Sequence, residues 1–252
     1  MVVKSDTKSQ KTASYLKTLI KEEYDEVNPD KVITIGGDGT FLKAVHQYDN
    51  ILDKVEFFIF NTGHLGYFSN FDIDSINDLI TKVNGGAYKC GEFNLLEYKI
   101  QTSNNTIEGV ALNEVTIINP TRTLMLDVFL NNTLLEQFRG TGICISTPAG
   151  STGYNKSLGG AVVDSSIDAF QVTEIASINS RVHHTLSSPL LLSKRHEVEF
   201  KSEDNHCIWI TADSKSLTLE NFQSLAIVLS DRKVRFARND ISFIDRLKKN
   251  FI

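Results

Sequence analysis

Apolar and polar positions along the first third of the chain alternate between helical and strand spacing. Apolar side chains three and four positions apart predict helices over residues 11–23, 40–48 and 72–83. Between them lie short apolar runs that favour buried strands, at residues 32–35 and 55–60, with Val2-Val3 as an opening strand. Strands that alternate with helices predict an open parallel α/β sheet with a glycine-rich strand–turn–helix near its start.

From about Leu95 onward the pattern changes to short apolar-rich runs that follow one another closely. Asn131-Asn132 stands between two of these runs and is typical of a hairpin turn. One helix, at residues 165–175, is predicted to interrupt the strands, and another, at residues 243–250, to end the chain. The predicted strands cover residues 96–102, 106–112, 115–118, 124–130, 133–138, 142–146, 197–201, 206–211, 225–229 and 233–236.

These patterns together predict two domains. We expect an α/β domain over residues 1–94 and a β-rich, β-sandwich-like domain over residues 95–236. The tail at residues 237–252 is predicted to pack back on the first domain. A chain of 252 residues is long enough to bury well over half of its unfolded surface, so it needs no disulfides to fold.

Composition narrows the class of protein. Lys and Arg total 26 against 31 Asp and Glu, and the formal net charge of -5 argues against a strongly basic nucleic-acid-binding protein. The three cysteines, Cys90, Cys144 and Cys207, form no CxxC pair, and we interpret them as reduced thiols of a cytoplasmic protein. The N-terminal segment lacks the apolar core of a signal peptide, and no apolar run approaches the ~20 residues that cross a bilayer. We therefore expect no membrane association.

All 15 glycines lie between Gly36 and Gly160. Glycine is favoured where a backbone turns sharply or approaches a ligand, so this part of the chain is the candidate for a binding site. The first cluster, ITIGGDGT at residues 33–40, is a strand that enters a glycine-rich turn and then a helix. Backbone N–H groups of such a turn and of the helix N-terminus are suited to bind phosphate, although the pattern is neither GxxxxGK(S/T) nor GxGxxG.

Asp38 places an acidic side chain in this turn, where a phosphate cradle would favour neutral or basic groups. A carboxylate is explained there if it contacts a hydroxyl or a divalent cation, and it can orient or deprotonate an attacking hydroxyl. The alternative is structural, with Asp38 capping the helix that follows.

Two further glycine-containing segments follow strands. Residues 58–67 run from an apolar strand into a turn with His64, a candidate phosphate contact that is more often a structural hydrogen-bond donor. Residues 138–160 hold six glycines, six small hydroxyl residues and Tyr154, which suits a nucleotide site, the alternative being a glycine-rich β-corner. Asn113-Glu114, between two apolar runs, is either a turn or an amide–carboxylate pair that binds a ribose or base edge.

Four motifs resemble those of the NAD kinase family in their order and spacing: GGDGT at 36–40, NTGHLGY at 61–67, LNEV at 112–115 and STPAGSTGYNKSLGG at 146–160. The resemblance implies a phosphotransferase that uses ATP and Mg²⁺ to phosphorylate the 2′-hydroxyl of the adenosine ribose of NAD, giving NADP. It also implies an α/β domain that binds the nucleotide phosphates and a β-rich domain that binds NAD and mediates oligomerisation. The expected assembly is a homotetramer or homodimer, with no nucleic-acid or membrane partner.

The resemblance also implies roles for individual residues. Asp38 would be the catalytic acid that contacts and activates the 2′-hydroxyl, and Ala176 and Ile178 would reach the site of a neighbouring subunit. No protein metal ligand is expected, because Mg²⁺ usually keeps several waters and binds the phosphates. The substrate- and nucleotide-binding residues that the resemblance implies are Gly36, Gly37, Gly39, Thr40, Asn61, His64, Tyr67, Asn113, Glu114, Arg139, Thr141, Ser146, Thr152, Gly153, Tyr154, Ser157, Ala176 and Ile178.

Two positions depart from the pattern of the family, which usually has Asp in place of Thr141 and Ala in place of Gly153. Thr141 accepts a hydrogen bond but carries no charge, so one alternative is a non-catalytic or weakened NAD(P)-binding protein. The other alternative is a different GGDGT-type kinase that acts on a lipid or a sugar phosphate.

Two remaining features are interpreted as structural. Adjacent residues of a strand point to opposite faces, so His183-His184 is a poor chelating pair. The basic tail from Arg246 to Lys249 is interpreted as the solvated face of a helix.

Overall fold

The computed structural model describes residues 1–63, 66–202, 207–239 and 242–252, and the chain divides into two compact units. The first unit comprises Met1–Glu92 and Arg232–Ile252, and the second comprises Phe93–Asp231. The helices are α1 (Thr7–Leu19), α2 (Asp38–Gln47), α3 (Ile76–Val83), α4 (Tyr154–Ser157) and α5 (Phe243–Phe251). The strands are β1 (Val2–Val3), β2 (Lys31–Gly36), β3 (Glu56–Asn61), β4 (Lys89–Thr102), β5 (Thr106–Ala111), β6 (Glu114–Ile118), β7 (Leu124–Leu130), β8 (Thr133–Gly140), β9 (Gly142–Ser146), β10 (Ala169–Ile175), β11 (Leu190–Ser193), β12 (Glu197–Lys201), β13 (Ile208–Ala212), β14 (Lys215–Leu219) and β15 (Phe222–Arg238).

The first unit contains the parallel α/β sheet that the alternating pattern predicts. β2 pairs in parallel with β1 and β3, and the end of β15 pairs in parallel with β3. Buried side chains of α1 and α3 pack on these strands, among them Leu16 and Leu79. This arrangement confirms the α/β class and leaves the carboxyl ends of β2 and β3 side by side.

Helix α1 begins four residues before its predicted start, and the cause is a local cap. The Asp6 carboxylate accepts a hydrogen bond from the Ser9 backbone N–H at 2.9 Å, which satisfies one of the free donors of the first turn. Apolar periodicity alone misses this turn, because the residues from Thr7 to Gln10 are polar.

The second unit is the predicted β-rich domain. One sheet has six strands in the order β11-β10-β9-β6-β13-β14, all antiparallel. The other includes β5 on β4 and β12 between β7 and β15, also antiparallel. Apolar side chains of both sheets form one buried cluster, including Ile117 and Ile145 from the first sheet and Val128 and Phe200 from the second. This packing is that of a β-sandwich, and the fold class is confirmed.

The predicted helix at residues 165–175 is wrong, since Ala169–Ile175 is strand β10, paired with both β9 and β11. Its side chains alternate between the two faces of the sheet, and Gln171 and Thr173 are buried on the polar one. Because Gln171 and Thr173 are polar, the segment lacks the apolar pattern of a buried strand. Its β-branched side chains nevertheless favour the strand that is observed over a helix.

Other boundaries differ in smaller ways. Residues 225–229 and 233–236 belong to one long strand, β15, and neither β11 nor β14 is predicted from the sequence. The predicted strand at 206–211 starts at His206, which lies outside the described residues, and β13 runs from Ile208 to Ala212. The hairpin at Asn131-Asn132 is confirmed, because both residues adopt positive φ angles of 49° and 65°, as a two-residue hairpin turn requires. In the described part of the chain, no helix is long and apolar enough to cross a membrane.

Candidate functional site

In the first unit, the candidate residues gather at the carboxyl ends of two parallel strands. Gly36, the last residue of β2, lies beside Asn61, the last residue of β3, and α2 begins at Asp38. A Cβ atom at Gly36 would lie 2.3 Å from Thr40 Oγ1, so the tight turn needs glycine there. At Gly37 and Gly39, a Cβ atom would have no described atom within 4 Å, which leaves their backbone open to a ligand. The turn thus combines one glycine required by packing with two whose backbone is open, at the start of a helix.

Asp38 points away from its own helix and into the loop after β3. Its Oδ2 accepts a hydrogen bond from the Tyr67 N–H at 2.8 Å, and its Oδ1 accepts one from the Phe68 N–H at 3.2 Å. The N-cap of α2 is Gly37, so the capping interpretation of Asp38 is wrong. Burial raises the pKa of the Asp38 carboxyl, opposed by the two N–H donors and by the positive charge of Arg246. The result is a carboxylate held in a fixed orientation by backbone donors.

Close packing explains a glycine in the same loop. A Cβ atom at Gly66 would lie 2.1 Å from Asp38 Oδ1, so any larger residue would displace the carboxylate. Asn61 is buried and its Oδ1 accepts a hydrogen bond from the Gly63 N–H at 2.8 Å, and the Tyr67 ring is also buried. His64 lies outside the described residues. The side chains of Asn61 and Tyr67 thus shape the loop that surrounds Asp38.

Arg246 contradicts the interpretation of the C-terminal basic residues as a solvated face. Its Nη1 donates to the Tyr67 carbonyl at 2.7 Å, and its Nη2 donates to Asn70 Oδ1 at 2.6 Å. A capping box of Ser242 and Asp245 starts α5 just before this residue. Local sequence shows only a basic amphipathic helix, and the inward position of Arg246 depends on a loop more than 170 residues earlier in the chain.

In the second unit, the Asn113-Glu114 pair forms a turn that a single carboxylate holds in place. Asp213 accepts hydrogen bonds from the backbone N–H groups of Leu112, Asn113 and Glu114 at 2.9, 2.7 and 3.3 Å. Asp213 itself has a φ of 52°, in the left-handed region that Asp tolerates better than most residues. The pair is therefore both a turn and a rigid platform for two polar side chains.

Both of these side chains present a buried atom without a partner. Asn113 Oδ1 and Glu114 Oε2 are inaccessible to solvent and have no hydrogen bond to any described residue. Buried polar atoms are nearly always paired in native proteins, so such exceptions favour a missing ligand or water. Burial, with a smaller contribution from the Asp213 charge, raises the pKa of Glu114 to about 7.

The glycine-rich segment after β9 packs directly on this turn. The Thr147 N–H donates to the Asn113 carbonyl at 2.9 Å, and Thr147 Oγ1 donates to the Leu112 carbonyl at 2.6 Å. A Cβ atom at Gly150 would lie 2.1 Å from the Asn113 carbonyl oxygen, and one at Gly153 would lie 3.6 Å from Glu114 Oε2. Gly150 thus lets the segment approach the Asn113-Glu114 turn closely, whereas a Cβ atom at Gly153 would make only an ordinary contact with Glu114.

The remaining residues of this segment fall into buried and exposed groups. Ser146 is fully buried, with its hydroxyl donating to the Thr147 carbonyl, and Thr152 donates to the Ala149 carbonyl. Tyr154 and Ser157 begin and end the short helix α4, and the Tyr154 ring is 46% exposed, which leaves it available to stack on a base.

Asn155 is a buried residue of α4 that the sequence analysis did not single out. Its Oδ1 accepts a hydrogen bond from Thr173 Oγ1 at 2.7 Å, and its Nδ2 is buried with no partner among the described residues. A Cβ atom at Gly160 would lie 2.2 Å from this amide, so Gly160 is required by packing on Asn155. Packing therefore explains part of the glycine content of this segment.

Four other candidates lie where β8, β9 and β10 meet. The Thr141 N–H donates to the Ile175 carbonyl at 3.0 Å, and the Ile178 N–H donates to the Arg139 carbonyl at 2.7 Å. Ala176 has a φ of 47°, and the side chains of Thr141 and Ile178 are exposed. No group of three or more His, Cys, Asp or Glu side chains that could hold a metal ion occurs among the described residues.

Comparison with known proteins follows the same division of the chain. Residues 2–88 match the family described as the ATP-NAD kinase N-terminal domain, and residues 112–239 match the ATP-NAD kinase C-terminal domain. An NAD kinase of Geobacillus stearothermophilus is 42% identical over 255 residues, which cover 99% of this chain and 94% of that protein. The chain belongs to the NAD kinase family. It is therefore a phosphotransferase, as the motifs imply.

Further members of the NAD kinase family agree with this assignment. An NAD kinase of Staphylococcus aureus (strain Newman) is 40% identical over 260 residues, covering 100% of this chain and 96% of that protein. The structure of an Archaeoglobus fulgidus NAD kinase in complex with ATP has a TM-score of 0.74 at 22% identity, covering 97% of this chain and 95% of that one. The structure of yeast NADH kinase complexed with NADH has a TM-score of 0.77 at 22% identity, and the match covers 87% of this chain and 65% of that one. The two structures share the fold of this protein.

Proposed function

We propose that this member of the NAD kinase family transfers the γ-phosphoryl group of ATP to the 2′-hydroxyl of the adenosine ribose of NAD, giving NADP and ADP. The Asp38 carboxylate carries the proposal, because it lies beside a phosphate-binding turn and is oriented by two backbone donors. Asp38 accepts the proton of the hydroxyl while the hydroxyl oxygen bonds to the γ-phosphorus and the bond to ADP breaks.

Substrate recognition is assigned to the side chains of Asn113 and Glu114 in the second unit. Asn113 Oδ1 and Glu114 Oε2 are acceptors without a partner among the described residues, and ribose hydroxyls or a base amino group would satisfy them. Ser146, Thr152, Gly153, Tyr154 and Ser157 are assigned to the adenosine side of NAD, and the exposed Tyr154 ring supports a stacking role.

Phosphate binding is assigned to the glycine-rich turn before α2. The open backbone at Gly37 and Gly39 supports this role, with Gly36, Thr40, Asn61, His64 and Tyr67 contributing to the same loops. Mg²⁺ is proposed to arrive with the triphosphate, where it neutralises phosphate charge. Phosphate oxygens and waters would supply most of its ligands, because Mg²⁺ usually keeps several waters and binds the phosphates.

Three further parts of the proposal concern the whole protein. Residues 1–94 are assigned to phosphate binding and residues 95–236 to NAD binding and self-association. The proposed assembly is a homotetramer or homodimer in which Ala176 and Ile178, both exposed, reach a neighbouring copy. A cytoplasmic location is supported by the free thiols of Cys90, Cys144 and Cys207.

The test of the proposed function is an assay of the purified protein with ATP, Mg²⁺ and NAD, in which NADP is measured with an NADP-specific dehydrogenase. We expect NADP to form in proportion to ADP and its formation to stop when EDTA is added. ADP without NADP would indicate an ATPase, and no product with any nucleoside triphosphate or polyphosphate would contradict the kinase assignment.

Replacing Thr141 with Asp is expected to strengthen NAD binding. The side chain is exposed between two glycines, so an acid fits, and it would restore the charge that the family usually has here. A charged hydrogen bond contributes about 1.5–3 kcal/mol, so we expect the KM for NAD to fall by roughly tenfold or more. The steady-state KM for NAD measures this, with Thr141→Asn as the uncharged control. Equal KM values for Thr141→Asp and the unmodified protein would show that Thr141 lies away from bound NAD.

A further inference from the structure

The C-terminal helix α5 inserts one cation into the loop that holds Asp38. Arg246 donates to the Tyr67 carbonyl at 2.7 Å and to Asn70 Oδ1 at 2.6 Å, with a longer contact of 3.5 Å to the Ser69 carbonyl. Both terminal nitrogens of the guanidinium group therefore donate to the short segment from Tyr67 to Asn70. A planar two-pronged donor fixes geometry better than the single ammonium of Lys, so this contact orients the segment rather than only neutralising it.

The peptide group that Arg246 binds is the same one that binds Asp38. The carbonyl of Tyr67 accepts from Arg246, and the N–H of that peptide, which belongs to Phe68, donates to Asp38 Oδ1 at 3.2 Å. The preceding N–H, of Tyr67, donates to Asp38 Oδ2 at 2.8 Å. A donor at the carbonyl polarises the peptide and strengthens its N–H as a donor, since chains of hydrogen bonds reinforce one another.

We propose that Arg246 is a positioning residue for Asp38, acting through the Tyr67–Phe68 peptide, so that the C-terminal helix forms part of the catalytic machinery. This role rests on the proposed function of Asp38 as the acceptor of the substrate proton. Arg246 orders the two backbone donors that hold the carboxylate, and its positive charge favours the ionised form of Asp38. The charge supports turnover because a carboxylate must be ionised before it can accept a proton, and the ordered donors support it because they hold the carboxylate in one orientation.

The charge effect has a definite sign. The positive charge of Arg246 lowers the pKa of Asp38, whereas burial raises it, so removing the charge moves that pKa upward. Among the described residues, the other titratable groups that face this pair are Tyr67 of the loop and Arg238 of β15, and the substitution alters neither of them chemically. The acidic limb of the pH profile for kcat/KM therefore shifts to higher pH in Arg246→Gln. In Arg246→Lys, which keeps the charge, the limb stays near its original position.

The first experiment compares turnover of Arg246→Gln, Arg246→Lys and the matched control Lys249→Gln, which neutralises an exposed cation on the same helix. We expect kcat to fall roughly 10- to 100-fold in Arg246→Gln, as misplacement of a reacting group does, with NAD dissociation constants within about twofold. Arg246→Lys is expected to fall less, and Lys249→Gln to match the unmodified protein. Unchanged kcat and an unchanged pH profile in Arg246→Gln would overturn the proposal. A fall in kcat without a shift of the acidic limb would also overturn it, because a merely structural anchor predicts that result.

The second experiment does not depend on activity. The backbone amide resonances of Tyr67 and Phe68 report ionisation of Asp38, because both N–H groups donate to its carboxylate. We expect their titration midpoint to move to higher pH in Arg246→Gln, to stay in Arg246→Lys, and to vanish in Asp38→Asn. If Arg246→Gln does not fold, the test rests on the titration midpoint and the kcat of Arg246→Lys. A displaced midpoint in Arg246→Lys would contradict the proposal, because this variant keeps the charge. Full turnover of Arg246→Lys would also contradict it, because Lys cannot make both contacts of the guanidinium. A protein that makes no NADP yet shows these midpoint shifts would contradict the proposed function but not the Arg246–Asp38 coupling.

Discussion

Asp38→Asn is expected to lower kcat by roughly 10²- to 10⁴-fold, the range that removal of a positioned acid or base usually produces. An amide of nearly the same shape cannot accept the proton of the 2′-hydroxyl. The Kd for NAD should change little, because NAD recognition is assigned to Asn113 and Glu114 in the second unit. Single-turnover formation of NADP, together with NAD binding by calorimetry, separates the chemical step from affinity.

A matched control for this substitution is Asp78→Asn. Asp78 also lies in the first turn of a helix, α3, but its side chain is exposed and paired with Lys82 at 2.7 Å. We expect Asp78→Asn to retain full turnover. The amide introduced by Asp38→Asn would turn an N–H toward one of the two backbone donors, so a thermal melt must show that this variant remains folded. A folded Asp38→Asn protein with unchanged kcat would rule out Asp38 as the base.

The motifs of the first unit are predictable from sequence because their structure is set by neighbouring residues. GGDGT follows an apolar strand and starts a helix, and both its turn and its helix start are encoded in the short segment ITIGGDGT. The packing role of Gly66 is not local, since it depends on Asp38 from the preceding strand–turn–helix. A glycine pattern thus identifies where the backbone is crowded or open without showing which neighbour requires it.

Two residues whose contacts the sequence does not reveal act across long stretches of chain, and one of them, Arg246, was interpreted wrongly as part of a solvated face. Arg246 binds a loop more than 170 residues earlier, and Asp213 holds a turn about 100 residues earlier. Neither contact has a local signal, because each is defined by a segment that is distant in sequence. The one available hint for Asp213 is its position in a short polar turn after an apolar run, where Asp tolerates a left-handed backbone. The error at β10 has a related cause, since its buried polar side chains pair with residues that precede the strand, Thr173 with Asn155 of α4 and Gln171 with the backbone of Ala161, and sequence alone does not place these there.

Glu114→Gln is expected to weaken NAD binding and to stabilise the protein at pH 8. In the folded protein the pKa of Glu114 is about 7, against an ordinary value of 4.5, so its carboxylate is ionised above pH 7 and can accept from NAD hydroxyls. Loss of a charged acceptor costs about 1.5–3 kcal/mol, which raises the KM for NAD by roughly 10- to 100-fold at pH 8. In the unmodified protein, KM should rise as pH falls below 7, and in Glu114→Gln this dependence should disappear. Steady-state KM values for NAD from pH 5.5 to about 8.5 measure both effects.

The stability effect follows from the same shift. A raised folded-state pKa means that the folded protein holds a proton between about pH 4.5 and pH 7 that the unfolded chain has released. The free energy of unfolding therefore decreases as pH rises through this window, and the full penalty applies above pH 7. Gln carries no such penalty, so Glu114→Gln should raise the free energy of unfolding by on the order of 2 kcal/mol at pH 8 and by little at pH 4.5. This figure allows for solvent near the carboxylate. Urea denaturation at the two pH values measures this difference, with Glu108→Gln as the control, because Glu108 of β5 has an exposed side chain. An equal gain at both pH values would show that the buried carboxylate of Glu114 is not the source, whereas a gain confined to pH 8 would identify a residue kept for binding at the expense of stability.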